Sequence, residues 1–382
     1  MAAPTIAPIS VTLDNFSGSG RVATPALLGA MLRAAEKISD LIFSPGRPPQ
    51  VQVYGQMIPV QVHGLTVLTA DETRHIAADL IGDNKQAITT LREHGACDIS
   101  YGLPGVARFR VNIFIQRGSC AVVMRVIPTA VPDFNTLGAP EQMRGIAALR
   151  DGMVLIAGPR GSGKSSTLAA LLDCINETET CHIITIEDPI EFLHNHKRAT
   201  IHQRELHSDT PSVSHAMRAA LRQVPNVIAV GELKDRETME LALEAAETGH
   251  LVLSTMNTLN AHKTVERFVG AFPGTEQATV RERLGLMLRC VISQRLLPRK
   301  NEGGRVAVFE MVNSGPRLLG NLAETYSSGK RDHVERRSPA GTGEMDVELE
   351  RLVVSGTVTA EIALANATNA PALAKRLTAA KK

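Results

Sequence analysis

The chain has 382 residues, with 41 Lys or Arg against 39 Asp or Glu and a formal net charge of +2. At about 150 residues per domain, this length allows two domains. The even charge balance argues against a bulk nucleic-acid binder, and 3% aromatic residues without any Trp argue against base-stacking platforms and membrane aromatic belts.

Residues 1–20, rich in Pro, Ser and Gly, read as a flexible arm, and the opening MAAPTIAPIS lacks the charged and apolar regions of a secretory signal. Apolar residues then recur at helical spacing from Thr24 (Leu27, Leu28, Met31, Leu32, Ala35). VQVYGQMIPV at 51–60 reads as a hairpin, Ala70–Thr90 as a helix, and 107–128 as a second hairpin turning through Gly118. Together, residues 21–130 are expected to form a small α+β domain. Residues 131–150, with Pro132, Gly138 and Pro140, read as a linker leading into a short helix.

From Gly152 the pattern changes. Strand-like runs (MVLIA, HIITI, VIAV, HLVLST) alternate with helical stretches, which implies parallel β-α units covered on both faces, over 151–326. Asp235 is a candidate cap for a helix that runs through Ala242 and Ala246 and stops at Gly249. Residues 327–345 read as a polar loop, and 346–382 as a helical tail with Val347, Leu349, Leu352 and Val353 as its apolar stripe. No apolar run approaches the ~20 residues of a spanning helix. The cysteines, Cys97, Cys120, Cys174, Cys181 and Cys290, are odd in number and lack CxxC spacing. That argues against a disulfide framework, a cysteine zinc site or a catalytic thiol, and favours a reducing cytoplasm.

One segment carries explicit chemistry. Gly158-Pro159-Arg160-Gly161-Ser162-Gly163-Lys164-Ser165, followed by Ser166, fits G-x-x-x-x-G-K-[ST] between an expected strand and an expected helix. Glycines let backbone N–H groups turn inward onto phosphate oxygens, and the helix N-terminus adds positive potential. Lys164 can reach the β- and γ-phosphates, and the Ser165 hydroxyl can bind Mg²⁺. Two further apolar strands end in acids: Glu187-Asp188 after HIITI, and Glu232 after VIAVG. Ligands of open parallel sheets sit beyond the carboxyl ends of strands, so these carboxylates are expected beside the phosphates, holding Mg²⁺ or orienting water. A fourth strand region, Gly249–Thr258, adds His250, Thr255 and Asn257 as candidate γ-phosphate sensors.

Taken together, these boxes resemble the type II/IV secretion and pilus motor ATPases, in particular the PilT/PilU twitching-motility branch, over about residues 24–325. The resemblance rests on GPRGSGKSSTLAALLDCIN, IITIEDPIEF with QRELHSDT, VIAVGELKDRETMELALEAAETGH, HLVLSTMNT and ISQRLLPR. It implies a RecA-like ATPase domain with a mostly parallel sheet, a smaller PAS-like N-terminal domain and a homohexameric ring. It further implies Glu187 as the glutamate that activates water, Glu232 and Asp188 with Ser165 at Mg²⁺, and ATP as the substrate. N-terminal arginines close over the γ-phosphate in such proteins. Strand alternation offers Arg108 and Arg110 on one face with Asn112, and Arg125 on the returning strand. The implied partners are an inner-membrane pilus or secretion platform protein and a paralogous motor ATPase, with no nucleic acid. The implied place is the cytoplasmic base of a bacterial pilus machine.

Two departures stand out. The family's T-L-H-T reads Thr255-Met256-Asn257-Thr258 here, and the A-I-R-N-L-I-R-E segment of retraction motors is only loosely matched by Gly315–Glu324. The assembly-type zinc cysteines are absent from the sequence. Three readings follow: a pilus motor, most simply for retraction; a weakly active regulatory paralogue; or a type II/IV secretion-system ATPase.

Overall fold

A computed structural model describes residues 9–13, 22–36, 38–53, 56–63, 65–127, 130–300, 304–313 and 345–379. The chain divides into two compact units, Met1–Thr129 and Ala130–Lys382.

The first unit carries a seven-stranded sheet in the order β1-β4-β3-β2-β7-β6-β5. Strand β1 (Ile9–Val11) lies parallel to β4 (Gln56–Val62), so part of the expected arm is an edge strand. Strands β2 (Ile38–Phe43) and β3 (Gln50–Val53) continue the sheet to β7 (Ser119–Ile127), β6 (Ala107–Gln116) and β5 (Ala96–Leu103). Helix α1 (Thr24–Arg33) buries Leu27, Leu28 and Met31 in the core of this unit. The expected helix at 70–90 is two helices, α2 (Ala70–Ile81) and α3 (Lys85–His94). The break is local chemistry: Gly82 adopts a positive φ, and the Asn84 side chain accepts from the Ala87 N–H to cap the second helix. Helix α2 starts on a capping box between Thr69 and Glu72.

The second unit carries another seven-stranded sheet. Its six parallel strands are β10 (Thr200–Glu205), β9 (His182–Glu187), β11 (Val227–Val230), β12 (Leu251–Met256), β8 (Gly152–Ala157) and β13 (Leu288–Pro298), in that spatial order. Strand β14 (Arg305–Asn313) closes one edge antiparallel to β13. Every residue of β8 and β12 is buried, and alternation divides the two faces. Met153, Leu155 and Ala157 pack with α6 (Val213–Ala220), α7 (Arg236–Glu247), α8 (Ala261–Gly270) and α9 (Gln277–Met287). Val154 and Ile156 pack with α5 (Lys164–Thr178). Asp235 caps α7 by accepting from the Thr238 N–H at 2.9 Å.

The 131–150 stretch is packed structure. Phe134, in the short helix α4 (Phe134–Leu137), and Met143 and Ile146, in the 3-10 helix Glu141–Ala148, lie in the α5-side core. At the C-terminal end, helices Met345–Val354, Ala360–Ala365 and Ala370–Ala379 form a separate cluster with Leu297 and Val308 of β13 and β14. Leu349 and Leu352 are buried there, whereas Val347 is exposed. Gly315–Glu324 and residues 327–344 lie outside the described residues.

Candidate nucleotide site

Residues Gly158–Gly163 link the carboxyl end of β8 to the first turn of α5. Space requires glycine at both ends of this loop. A Cβ on Gly158 would lie 2.4 Å from the Ser162 hydroxyl and 2.5 Å from the Gln294 carbonyl oxygen. Gly163, the residue before Lys164, has a φ of +89°, and a Cβ there would come within 2.9 Å of Gln294 Nε2. Ser162 is buried within the loop, Ser165 and Ser166 are half-buried in the first turn, and Pro159, Arg160 and Gly161 are exposed. Lys164 is buried, and its ammonium donates to the carbonyl oxygens of Gly158 and Pro159, each at 2.9 Å. Burial pushes its pKa down, while the Glu232 and Glu191 carboxylates pull it back up. The ammonium is therefore held inside the loop, beside the N–H groups a phosphate would use.

The carboxylates sit at the ends of the adjacent strands. Glu187 closes β9, where Thr185 Oγ1 and Gln203 Nε2 donate to its Oε1 at 2.6 and 3.0 Å. Burial raises the pKa of Glu187, and these two donors work against that rise. Such a carboxyl is fixed in direction and more basic than usual, as a group that takes a proton from water needs to be. Asp188, next along, is exposed and faces Lys234 at 3.4 Å.

Glu232 follows β11 and is placed by β12. The Ser254 and Thr255 hydroxyls donate to the carbonyl oxygens of Val230 and Gly231 at 2.7 and 2.6 Å. Asn257 Nδ2 then donates to Glu232 Oε1 at 2.5 Å. The side chains of Ser165, Glu232 and Asp188 carry only oxygen donors, the ligand type a hard divalent cation takes. No cluster of three or more His, Cys, Asp or Glu able to hold a metal occurs among the described residues.

His250 is a correction. It precedes β12, at the level of Gly152, whose N–H donates to the His250 carbonyl at 3.1 Å. It therefore lies at the amino end of the sheet, opposite the phosphate loop. Its ring Nδ1 pairs with the Ala245 carbonyl at 2.9 Å, which ties the end of α7 to the strand. Thr255 likewise spends its hydroxyl on Gly231.

The arginines belong to the first unit. Arg110 and Arg125 face each other directly across β6 and β7, and Arg125 is opposite Asp40 of β2. Arg125 Nε donates to Asp40 Oδ1 at 2.9 Å. Asp40 is buried and Arg110 exposed. Arg108 lies on the same face, half-buried, while Phe109, Val111 and Ile113 fill the core behind it. Arg125 thus has an ion-pair partner in Asp40, and none is seen for Arg110 among the described residues.

Thr185, Gln203 and Gln294 carry no role in the sequence reading. Thr185 was readable by alternation, two residues before Glu187 on one strand face. Gln203 and Gln294 lie in two of the segments that carry the resemblance, QRELHSDT and ISQRLLPR, but the contacts they make depend on strand pairing.

A family model described as "Type II/IV secretion system protein" matches residues 96–370. The chain is 40% identical over 328 residues to the "Type IV pilus retractation ATPase PilT" of Pseudomonas aeruginosa, covering 86% of this chain and 94% of that one. It is 36% identical to the "Type IV pilus ATPase PilU" of the same organism, covering 87% and 86%. The crystal structure of the pilus retraction motor PilT with bound ADP superposes with a TM-score of 0.79 at 37% identity, covering 94% of this chain and 100% of that one. The Legionella pneumophila ATPase DotB superposes with a TM-score of 0.78 at 28% identity, covering 92% and 97%. With the phosphate loop in its strand–loop–helix setting and acids at the next strand ends, the chain belongs to the type II/IV secretion system protein family.

Proposed function

We propose that this protein is an ATP-hydrolysing motor of a type IV pilus, working as a homohexameric ring at the cytoplasmic base of the machine. The observation that carries the reading is the convergence of Lys164, Glu187 and Glu232 at the carboxyl ends of three strands of one sheet, in a chain 40% identical to a named pilus ATPase. In this reading, the loop N–H groups of Gly158–Ser166 and the Lys164 ammonium bind the β- and γ-phosphates. Glu187 orients the attacking water and takes its proton. Arg108 and Arg110 offset charge on the γ-phosphate, and guanidinium suits that task because it stays charged and binds two oxygens at once. Ser165, Glu232 and Asp188 are the oxygen donors available to Mg²⁺, which when bound supplies charge neutralisation on the phosphate oxygens.

No helix among the described residues is long and apolar enough to cross a membrane, so membrane work is assigned to an inner-membrane platform protein as partner. A second reading, a weakly active paralogue that regulates another motor, draws on one contact. Asn257 holds the acid expected at the metal. The test is ATP turnover by the purified chain, together with its mass in solution. A hexamer that hydrolyses ATP supports the motor, and a chain that binds nucleotide but turns over negligibly supports the paralogue.

A further inference from the structure

Gln294 is a carboxamide only 1% exposed, in a core strand whose neighbouring Val291, Ile292 and Leu297 are buried apolar side chains. Burying such a group is costly unless its polar ends are used. Strand pairing sets Ser293 against Ala157, so Gln294 lies level with Gly158, the first residue of the phosphate loop. Its Oε1 accepts from Thr167 Oγ1 at 2.7 Å. Thr167 is fully buried in the first turn of α5, and its own N–H donates to the Gly163 carbonyl at 3.1 Å. The Gln294 main-chain carbonyl oxygen fills the space a Cβ on Gly158 would need, and its side-chain Nε2 fills the space at Gly163. One residue is thus the rear wall for both ends of the loop and is bonded to the helix turn that carries Lys164.

We infer that Gln294 is a positioning residue for nucleotide binding: through Thr167 it sets the distance between the end of β8 and the start of α5. That distance decides whether the loop N–H groups converge on one phosphate. Any apolar residue of similar volume could fill the side chain's space, but none accepts the Thr167 hydroxyl while its other end backs Gly163. The inference rests on the nucleotide-binding reading above.

The test is the affinity for a fluorescent ADP analogue, measured by anisotropy on the full chain, beside thermal denaturation without nucleotide. Gln294→Met keeps the volume and removes the acceptor. It should weaken ADP binding about three- to tenfold, the value of one hydrogen bond. Thr167→Val approaches the same contact from the helix and should do likewise, while Thr167→Ser keeps the hydroxyl and should recover most of the affinity. Because both changes remove one interaction, the double variant should bind within about twofold of the weaker single one. Lower melting temperatures with ADP affinity within about twofold of wild type in both Gln294→Met and Thr167→Val would overturn the inference and leave Gln294 as core packing. Failure of the wild-type chain itself to bind ADP would overturn the functional reading, and this inference with it.

Discussion

Asn257 Nδ2 donates to Glu232 Oε1 at 2.5 Å, joining the residues that follow two neighbouring parallel strands. The contact fixes the carboxylate and, because a carboxamide does not titrate, it persists through the neutral pH range. Imidazole has similar reach but changes charge near neutrality. ATP turnover by the wild-type chain should therefore show no neutral-pH step arising from this position. Asn257→His should introduce one while changing the rate only a few-fold. A gain of about tenfold or more in the variant, from a wild-type rate far below the usual enzymatic range, would favour the regulatory paralogue.

Glu187 has a folded pKa above its ordinary value of 4.5, chiefly because it is buried. Between those two values the native chain binds more protons than the unfolded one, so stability falls as pH rises through that window. Glu187→Gln keeps an acceptor for Thr185 and Gln203 and removes the charge. The variant should melt higher than wild type at neutral pH, with the advantage vanishing below about pH 4. Its ATP turnover should fall by about 10²–10⁴. A melting temperature unchanged at neutral pH would contradict the burial argument, and retained turnover would remove Glu187 from the chemistry.

Arg125 and Arg110 should separate in a mutational comparison. Arg125→Ala strands the buried Asp40 carboxylate, at a cost of about 1–3 kcal/mol to the first unit. Arg110→Ala removes an exposed guanidinium placed directly opposite a like charge, so the fold should not weaken. Turnover should instead fall far more than nucleotide binding, because the charge it offsets is largest in the transition state. Thermal melts with kcat and KM for both variants check this; equal turnover in wild type and Arg110→Ala would reduce the hairpin face to solvated surface.

Val224 has a φ of +53° and is 85% exposed, ahead of β11. A β-branched residue in the left-handed region is strained by about 1–2 kcal/mol, and this side chain recovers little by packing. Val224→Asn suits that backbone and leaves the carbonyl facing the His182 ring intact. Stability should rise by about 1 kcal/mol, or roughly 2–4 °C in melting temperature. A lower melting temperature would show that the valine side chain holds a contact worth more than its strain.

The phosphate loop was legible because its chemistry is contiguous: glycine spacing, Lys164 and Ser165 occupy one short segment between strand and helix. The strand-end acids were legible because apolar runs mark where strands stop. The same rule sets His250 at the other end of its strand. It precedes the run Leu251–Met256, and direction along that run puts it at the amino end. The packing of 131–150 was hidden because Phe134, Met143 and Ile146 are too few and too interrupted by Pro and Gly to show a period. The break between α2 and α3 was readable from Gly82 and Asn84, a C-terminal stop followed by a cap. Gln294 and the Asn257–Glu232 contact depend on which strands lie side by side. β8 and β13 are far apart in the chain, so only the folded sheet brings Gln294 to the phosphate loop, while the parallel pairing of β11 with β12 sets Glu232 beside Asn257.

ATP hydrolysis by the wild-type chain, measured beside Lys164→Ala, tests the central claim most directly. Lys164 offers its charge to the phosphates from the start of α5, and among the described residues its ammonium donates to two carbonyl oxygens of the loop itself. The variant should keep its secondary structure and lose turnover, against a wild-type rate of about 0.1–10 s⁻¹. A Lys164→Ala chain that hydrolyses ATP near the wild-type rate would contradict the account.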